Sequence, residues 1–209
     1  MRPVTRTYTA TAAHADNICE SQKGTNAGNM TIDGALATAG VATLDIPRHI
    51  VIDSDGAEST VTFTIYGTDR YGLPISEVLV GADHAANSTS VKNYKTITRI
   101  ARDKSNVGNV IIGTANSFEG EWIPVEHHAT NTSVQVDTSN TGFTHTVQYT
   151  HESPWDADET TLFGTVFYEA CTGDKAAAIT VPCTAVRLVV TGYSSGSAEL
   201  SVLQAGEGF

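Results

Sequence analysis

The chain has 209 residues, of which 40 % are hydrophobic and 17 % charged, and its formal net charge is −11. That is enough apolar material for one large core or two of about a hundred residues each, and the low charge content argues against the Glu- and Lys-rich surfaces of a helical protein. The acidic balance excludes a general binder of nucleic acid or of anionic membranes.

Polarity comes instead from threonine, present 30 times. Threonine is β-branched and hydroxylated, so it suits the solvent face of a strand. Residues 2–13 alternate Thr with other residues and contain no apolar stretch of the kind a signal peptide needs. The expectation is synthesis in a cytosol, with this segment a free arm able to add a strand to a neighbour's sheet edge. Residues 10–23 are the best helix candidate, although they lack an apolar stripe. Short β runs follow at 30–33, 41–46 (stopped by Pro47) and 49–53, with a turn at Ser54, Asp55 and Gly56. Residues 60–66 place Val61, Phe63 and Ile65 on one face and Thr60, Thr62 and Thr64 on the other, the clearest period of two in the chain. Strands are predicted next at 75–80, at 94–100 (Tyr94, Thr96 and Thr98 opposite Lys95, Ile97 and Arg99) and at 110–112.

Residues 115–120 carry Asn116, Ser117 and Gly120 and read as a linker. The charge changes there. Residues 1–115 hold ten Lys/Arg and eleven Asp/Glu, whereas 116–209 hold only Lys175 and Arg187 against twelve Asp/Glu. Strand patterns restart at 121–125, 133–137, 144–150, 164–169, 178–181, 185–191 and 198–203, and residues 156–163 have room for one helical turn. The predicted fold is all-β: two small antiparallel β-sandwich or barrel-like domains in tandem, 1–115 and 116–209.

Few residue patterns suggest chemistry. Gly192, Ser194 and Gly196 have the spacing of a nucleophile elbow, but 198–203 reads as a strand where the elbow needs a helix, and no His follows His151. Asp53, Ser54, Asp55 and Gly56 resemble the start of a calcium loop, yet Thr62 stands where the loop needs Glu. His127, His128, His145 and His151 are close in sequence. His127 and His128 would point to opposite faces of a strand, and His145 and His151 would lie about 20 Å apart along one. Asp156, Asp158 and Glu159 read as a solvated acidic loop. Asn29, Asn87 and Asn131 sit in chance glycosylation sequons. Cys19, Cys171 and Cys183 are odd in number and widely spaced, which suits reduced thiols rather than a disulfide framework or a zinc site. Trp122, Trp155, Tyr149, Tyr168 and Tyr193 could supply stacking faces for sugars, which leaves a carbohydrate-binding module as an alternative. No catalytic, cofactor or metal residue is expected.

Two stretches carry a likeness. The first takes in the strings NMTIDG at 29–34, VATLD at 41–45, VTFTI at 61–65, GTDRYG at 67–72 and ISE at 75–77. The second takes in WIPV at 122–125, TVQYT at 146–150, VP at 181–182, AVRL at 185–188 and LQAG at 203–206. Together they resemble uncharacterised virion structural proteins of tailed bacteriophages, of the kind encoded near head and neck genes. The resemblance implies a particle component with no catalytic residues and no cofactor. Its partners would be the major capsid protein or neck and tail proteins, and further copies of itself in a symmetric oligomer such as a trimer. A capsid decoration or cement protein is the first expectation, and an adaptor or fibre-attachment piece of the neck or tail the second. The less acidic half, with Arg2, Arg6, Arg48, Arg70, Lys92, Lys95, Arg99, Arg102 and Lys104, is expected to dock, leaving the acidic half outward.

Overall fold

The computed structural model describes residues 3–84, 86–126, 132–140, 142–153 and 164–204. Every regular element among them is a β-strand. In chain order these are β1 (Val4–Ala10), β2 (Cys19–Gln22), β3 (Gly28–Asn29), β4 (Ala37–Thr38), β5 (Val41–Arg48), β6 (Ile50–Ser54), β7 (Thr62–Thr68), β8 (Pro74–Val80), β9 (Ser88–Thr89), β10 (Tyr94–Arg102), β11 (Val110–Thr114), β12 (Phe118–Glu119), β13 (Ile123–Pro124), β14 (Thr132–Thr138), β15 (Thr144–Thr150), β16 (Thr165–Val166), β17 (Cys171–Thr172), β18 (Lys175–Ile179), β19 (Ala185–Gly192) and β20 (Gly196–Gln204). The fold is all-β and antiparallel, and the helix considered for residues 10–23 is instead the end of β1, a loop and β2. The helical turn considered for 156–163 lies outside the described residues.

The chain divides into two compact units, Ala13–Phe118 and Met1–Ala12 with Glu119–Phe209. The expected arrangement was a tandem split after residue 115, with the N-terminal arm free. The arm is not free. β1 pairs with β20 without interruption, from Val4 opposite Val202 to Ala10 opposite Gly196. Tyr8 and Ala10 are its two buried residues. They find their core in the unit of the C-terminal strands, so the 13–118 unit is an insertion in sequence after the first strand of the other. The expected linker is likewise ordered: Ala115 and Phe118 are buried, and Ala115 donates its N–H to the His49 carbonyl at 2.9 Å.

Unit 13–118 has two sheets. One runs β4-β5-β10-β7-β8 with β3 beside β10, and the other runs β2-β11-β6-β9. Leu44, Phe63, Ile65, Tyr94, Ile97 and Ile100 of the first share one core with Cys19, Ile50, Ile52, Val110 and Ile112 of the second. Burial of that many aliphatic and aromatic side chains is the main stabilising term. Phe63 and Ile65 point inward as the period of two predicted. β10 departs from it: Tyr94, Ile97 and Ile100 are all buried, a spacing of three. Register shifts against β5 (between Tyr94 and Thr96) and against β7 (between Ile97 and Arg99) reset the alternation. The shift opposite β5 also explains why Pro47 does not end that strand. Arg48 pairs with Tyr94 and Thr43 with Thr96, leaving 44–47 bulged opposite Lys95. No ladder hydrogen bond is required from a proline there, and the Lys95 ammonium donates to the Leu44 and Asp45 carbonyls at 2.7 and 3.0 Å.

The second unit also has two sheets, β1-β20-β14-β18 and β12-β19-β15-β16, with β13 on β19 and β17 on β15. Val134, Val136, Ala198, Leu200 and Val202 are buried from the first, and Val147, Leu188 and Val190 from the second. The outer face of the first sheet is a small polar lattice. Thr5, Thr7 and Thr9 lie opposite Ser201, Glu199 and Ser197, and Ser201 and Glu199 lie opposite Gln135 and Asp137. Thr7 donates to Glu199 at 2.8 Å.

Candidate functional site

Of the two described histidines of their sequence cluster, His151 is exposed and His145 is completely buried. Its place in β15 sets it opposite Cys171 on one side and Val190 on the other. Nε2 lies 2.8 Å from the Gly173 carbonyl oxygen and Nδ1 lies 3.1 Å from the Tyr168 hydroxyl. A carbonyl can only accept, so the proton sits on Nε2, and Nδ1 accepts from the phenol. The Cys171 sulfur is 3.9 Å from that same Nε2. An N–H cannot take the thiol's proton, so the Cys–His pair is not an activated nucleophile in this arrangement. Burial pushes the Tyr168 phenol well above its ordinary value, with the nearby Cys171 adding to the shift. The cluster is a buried clip joining β15 to β17. His151 lies past the end of β15, against the Tyr149 ring at 5.5 Å. His127, His128, Asp156, Asp158, Glu159, Trp155 and Asn131 lie outside the described residues.

A second buried polar cluster is centred on Arg187 in β19. The strand alternates in sequence, yet 185–190 are buried on both faces. Arg187 donates through Nε and Nη2 to the Gln148 side-chain oxygen at 3.0 and 2.8 Å, and through Nη1 to Glu119 at 2.6 Å. Its guanidinium stacks 4.5 Å from the centre of the Trp122 ring. A buried cation held by an anion, an amide and an aromatic face is fully used. Sequence reading missed this group. The available signal was a lone Arg inside an apolar run, in a half of the chain with one other cation. Trp122 and Tyr193 are only 7 % and 5 % exposed, Tyr193 stacking on Phe143, so neither offers a face to a sugar.

The calcium-like turn does different work. Asp55 accepts the Asn109 backbone N–H at 2.6 Å and its side-chain amide at 2.8 Å, and those bonds hold its carboxyl below the ordinary value. Asp53 accepts the Ser54 N–H at 2.7 Å. Glu58 is wholly buried and accepts the Gly108 N–H at 2.7 Å. The turn is therefore pinned to the loop at 106–109. The two backbones pass so closely that a Cβ on Gly56 would stand 2.5 Å from the Gly108 nitrogen, which demands glycine. Ser21, Asp53, Asp55, His84, Asn109 and Ile111 line a concavity of about 360 Å³ beside it. Among the described residues, no three His, Cys, Asp or Glu side chains are grouped so as to hold a metal ion. Ser194 sits in the β19–β20 hairpin, in a strand–turn–strand context.

The open sheet edges are the most distinctive surfaces. β8 ends the larger sheet of unit 13–118. Val78 and Val80 on its outer face are 62 % and 53 % exposed, and Tyr71 and Leu73 in the turn before it are 63 % and 60 % exposed. The one charge in β8, Glu77, is half-buried and accepts the Val91 and Lys92 N–H groups at 2.9 and 3.0 Å, and the exposed apolar side chains of the outer face suit a contact surface. The cations expected to dock this half are less available. Arg48 is completely buried and paired with Asp45 at 2.8 Å, Arg99 lies over the Tyr66 ring, and Arg6 belongs to the other unit, where it pairs with Glu121.

No protein-family model matches the chain, and no curated protein does. Among solved structures it is similar to a "putative secreted protein" from Parabacteroides distasonis, at 9 % identity over 98 % of this chain and 89 % of that one, with a TM-score of 0.25. At that score the likeness carries no argument about function.

Proposed function

We propose that the chain is a non-enzymatic structural protein of a tailed-bacteriophage virion, placed as a decoration protein on the outer capsid shell. The observation that carries the reading is the β8 edge of unit 13–118, with Val78 and Val80 exposed on the strand and Tyr71 and Leu73 exposed in the turn before it. That unit holds eight Lys/Arg against eleven Asp/Glu, whereas the other holds four against twelve. An accessory protein docks best through its less charged, more apolar surface and leaves the repelling one in solvent. The resemblance of the 29–77 and 122–206 strings to virion proteins supplies the setting. Quantitative gel analysis of purified virions tests the proposal. Copies on the order of hundreds per particle support shell decoration, and about six or twelve, the multiplicity of a ring at one vertex, move the chain to the neck or tail. Particles lacking the chain overturn the virion reading altogether.

A further inference from the structure

We infer that the outward face of β10, β7 and β8 docks on a protein surface that presents a carboxylate, and that Arg99 is the side chain that receives it. On that face Tyr66 lies between Ser76 of β8 and Arg99 of β10, and Thr64 lies between Val78 and Ala101. The three strands together hold one acidic residue, Glu77. Glu77 lies opposite the buried Ile65, so it belongs to the core side. The outward face of these strands is therefore free of carboxylates, in a unit with eleven Asp/Glu. Arg99 is exposed. Its guanidinium stacks 3.8 Å from the centre of the Tyr66 ring, and no hydrogen bond or ion pair engages it among the described residues.

The stack takes up one flat face of the guanidinium and fixes its plane, while the N–H groups along its edge stay available for a two-pronged bond. An anion with two oxygens in one plane fits that fork. Phosphates of nucleic acid or of an anionic membrane offer similar oxygens, but a chain of net charge −11 is repelled by both. A protein carboxylate is the anion left. The valines make it necessary. Val78 and Val80 are 62 % and 53 % exposed, and strand spacing sets Val78 within about 12 Å of Arg99. An interface of ordinary size, about 800 Å² a side, covers both. A cation sealed from water without an anion is costly, so a partner that buries the valines must bring the carboxylate with it. An Arg stacked on a Tyr inside such a patch has the makeup of a binding hot spot. The decoration reading supplies the partner, a shell protein, and the inference rests on that reading for it.

The test is made on virions assembled with variants of the full chain, its copies counted on gels against the capsid protein. Arg99→Ala is expected to lower incorporation at least tenfold while the purified variant keeps the wild-type melting temperature, as befits an exposed side chain. Arg99→Lys keeps the charge and loses the fork, so it is expected to fall between wild type and Ala. Lys23→Ala removes an exposed cation of the same unit that follows β2, in the other sheet. It is expected to incorporate as wild type does. Equal losses in Arg99→Ala and Lys23→Ala overturn the inference, since they show an effect of net charge alone. A wild-type chain that sediments as a dimer, with Arg99→Ala a monomer, gives the face to a second copy and overturns it as well. Virions that hold the wild-type chain and take up Arg99→Ala equally sink this inference and leave the virion reading standing. Virions without the wild-type chain sink both.

Discussion

The Tyr8 phenolic oxygen accepts the Glu121 backbone N–H at 3.1 Å, tying the first strand to a residue more than a hundred positions later. Tyr8 is 9 % exposed, so it contributes both packing and this bond. Tyr8→Phe should cost about 1 kcal/mol, the value of a half-buried hydrogen bond, and Tyr8→Ala about 3 kcal/mol through the added cavity. Deleting residues 1–13 should unfold the unit that contains 119–204 while 14–118 stays folded, and should weaken incorporation into particles. Denaturant titration followed by Trp122 fluorescence checks the stability. A single unchanged transition in the deletion variant would contradict the pairing of β1 with β20.

Removing Arg187 strands Glu119 and Gln148 in a largely buried site. Arg187→Met should therefore destabilise by about 3 kcal/mol. The double change with Glu119→Gln should recover part of that, because no uncompensated charge then remains. Arg187→Lys keeps the charge but cannot form the fork to Gln148 and Glu119 together, so it should fall between wild type and Met. Equilibrium unfolding of the four proteins decides the order.

Asp55 gives a signed pH dependence. Its carboxyl is held below the ordinary value of 3.8, chiefly by the Asn109 side-chain bond and then by the Asn109 backbone N–H. A group whose pKa is lowered by folding contributes stability that is complete above the unfolded value and is lost as pH falls through the folded one. The loss therefore lies below about pH 4. Asp55→Asn should flatten that acid limb and leave the neutral region nearly flat. An acid limb as steep in the variant as in the wild type would count against it.

The three thiols should separate in reactivity. Cys19 is buried, and burial, with Asp33 nearby, pushes its pKa up to about 12. Cys183 is buried and shifted the same way by desolvation. Cys171 is half-buried. Thiolate is the reactive form, so iodoacetamide at neutral pH should label Cys171 first and Cys19 last, as peptide mass spectrometry would record.

Val78→Lys with Val80→Lys places two charges on the outer face of β8, where both side chains are exposed. Thermal stability should change by less than about 0.5 kcal/mol, while incorporation into particles should fall at least tenfold. Wild-type incorporation would move docking to another surface.

Local pattern was a good guide where strands are regular. Residues 144–150 were predicted as a strand and form β15 with those limits, and the inward Phe63 and Ile65 of β7 follow from alternation alone. Pattern failed where register shifts intervene. In β10 the buried residues are Tyr94, Ile97 and Ile100, and no period of two can generate them. It failed more completely for pairings between distant residues. Residues 2–13 read as a strand without an owner, because nothing near Tyr8 in sequence names β20 as its partner. His145 with Cys171, and Arg187 with Glu119 and Trp122, are likewise products of register. Arg187 in the sequence is a lone cation in an apolar run, and for a charged residue the surface is the ordinary expectation.

The pairing of β1 with β20 also sets an order on synthesis. Residues 13–118 can close their own core as soon as they leave the ribosome, but Val4–Ala10 must wait for Gly196–Gln204 to emerge. At ordinary translation rates that interval is about 10–40 s, during which the first strand is made and has nothing to pair with. Nascent chains that stop short of residue 196 keep it open, so an exposed N-terminal strand marks an unfinished molecule and gives chaperones and proteases something to recognise.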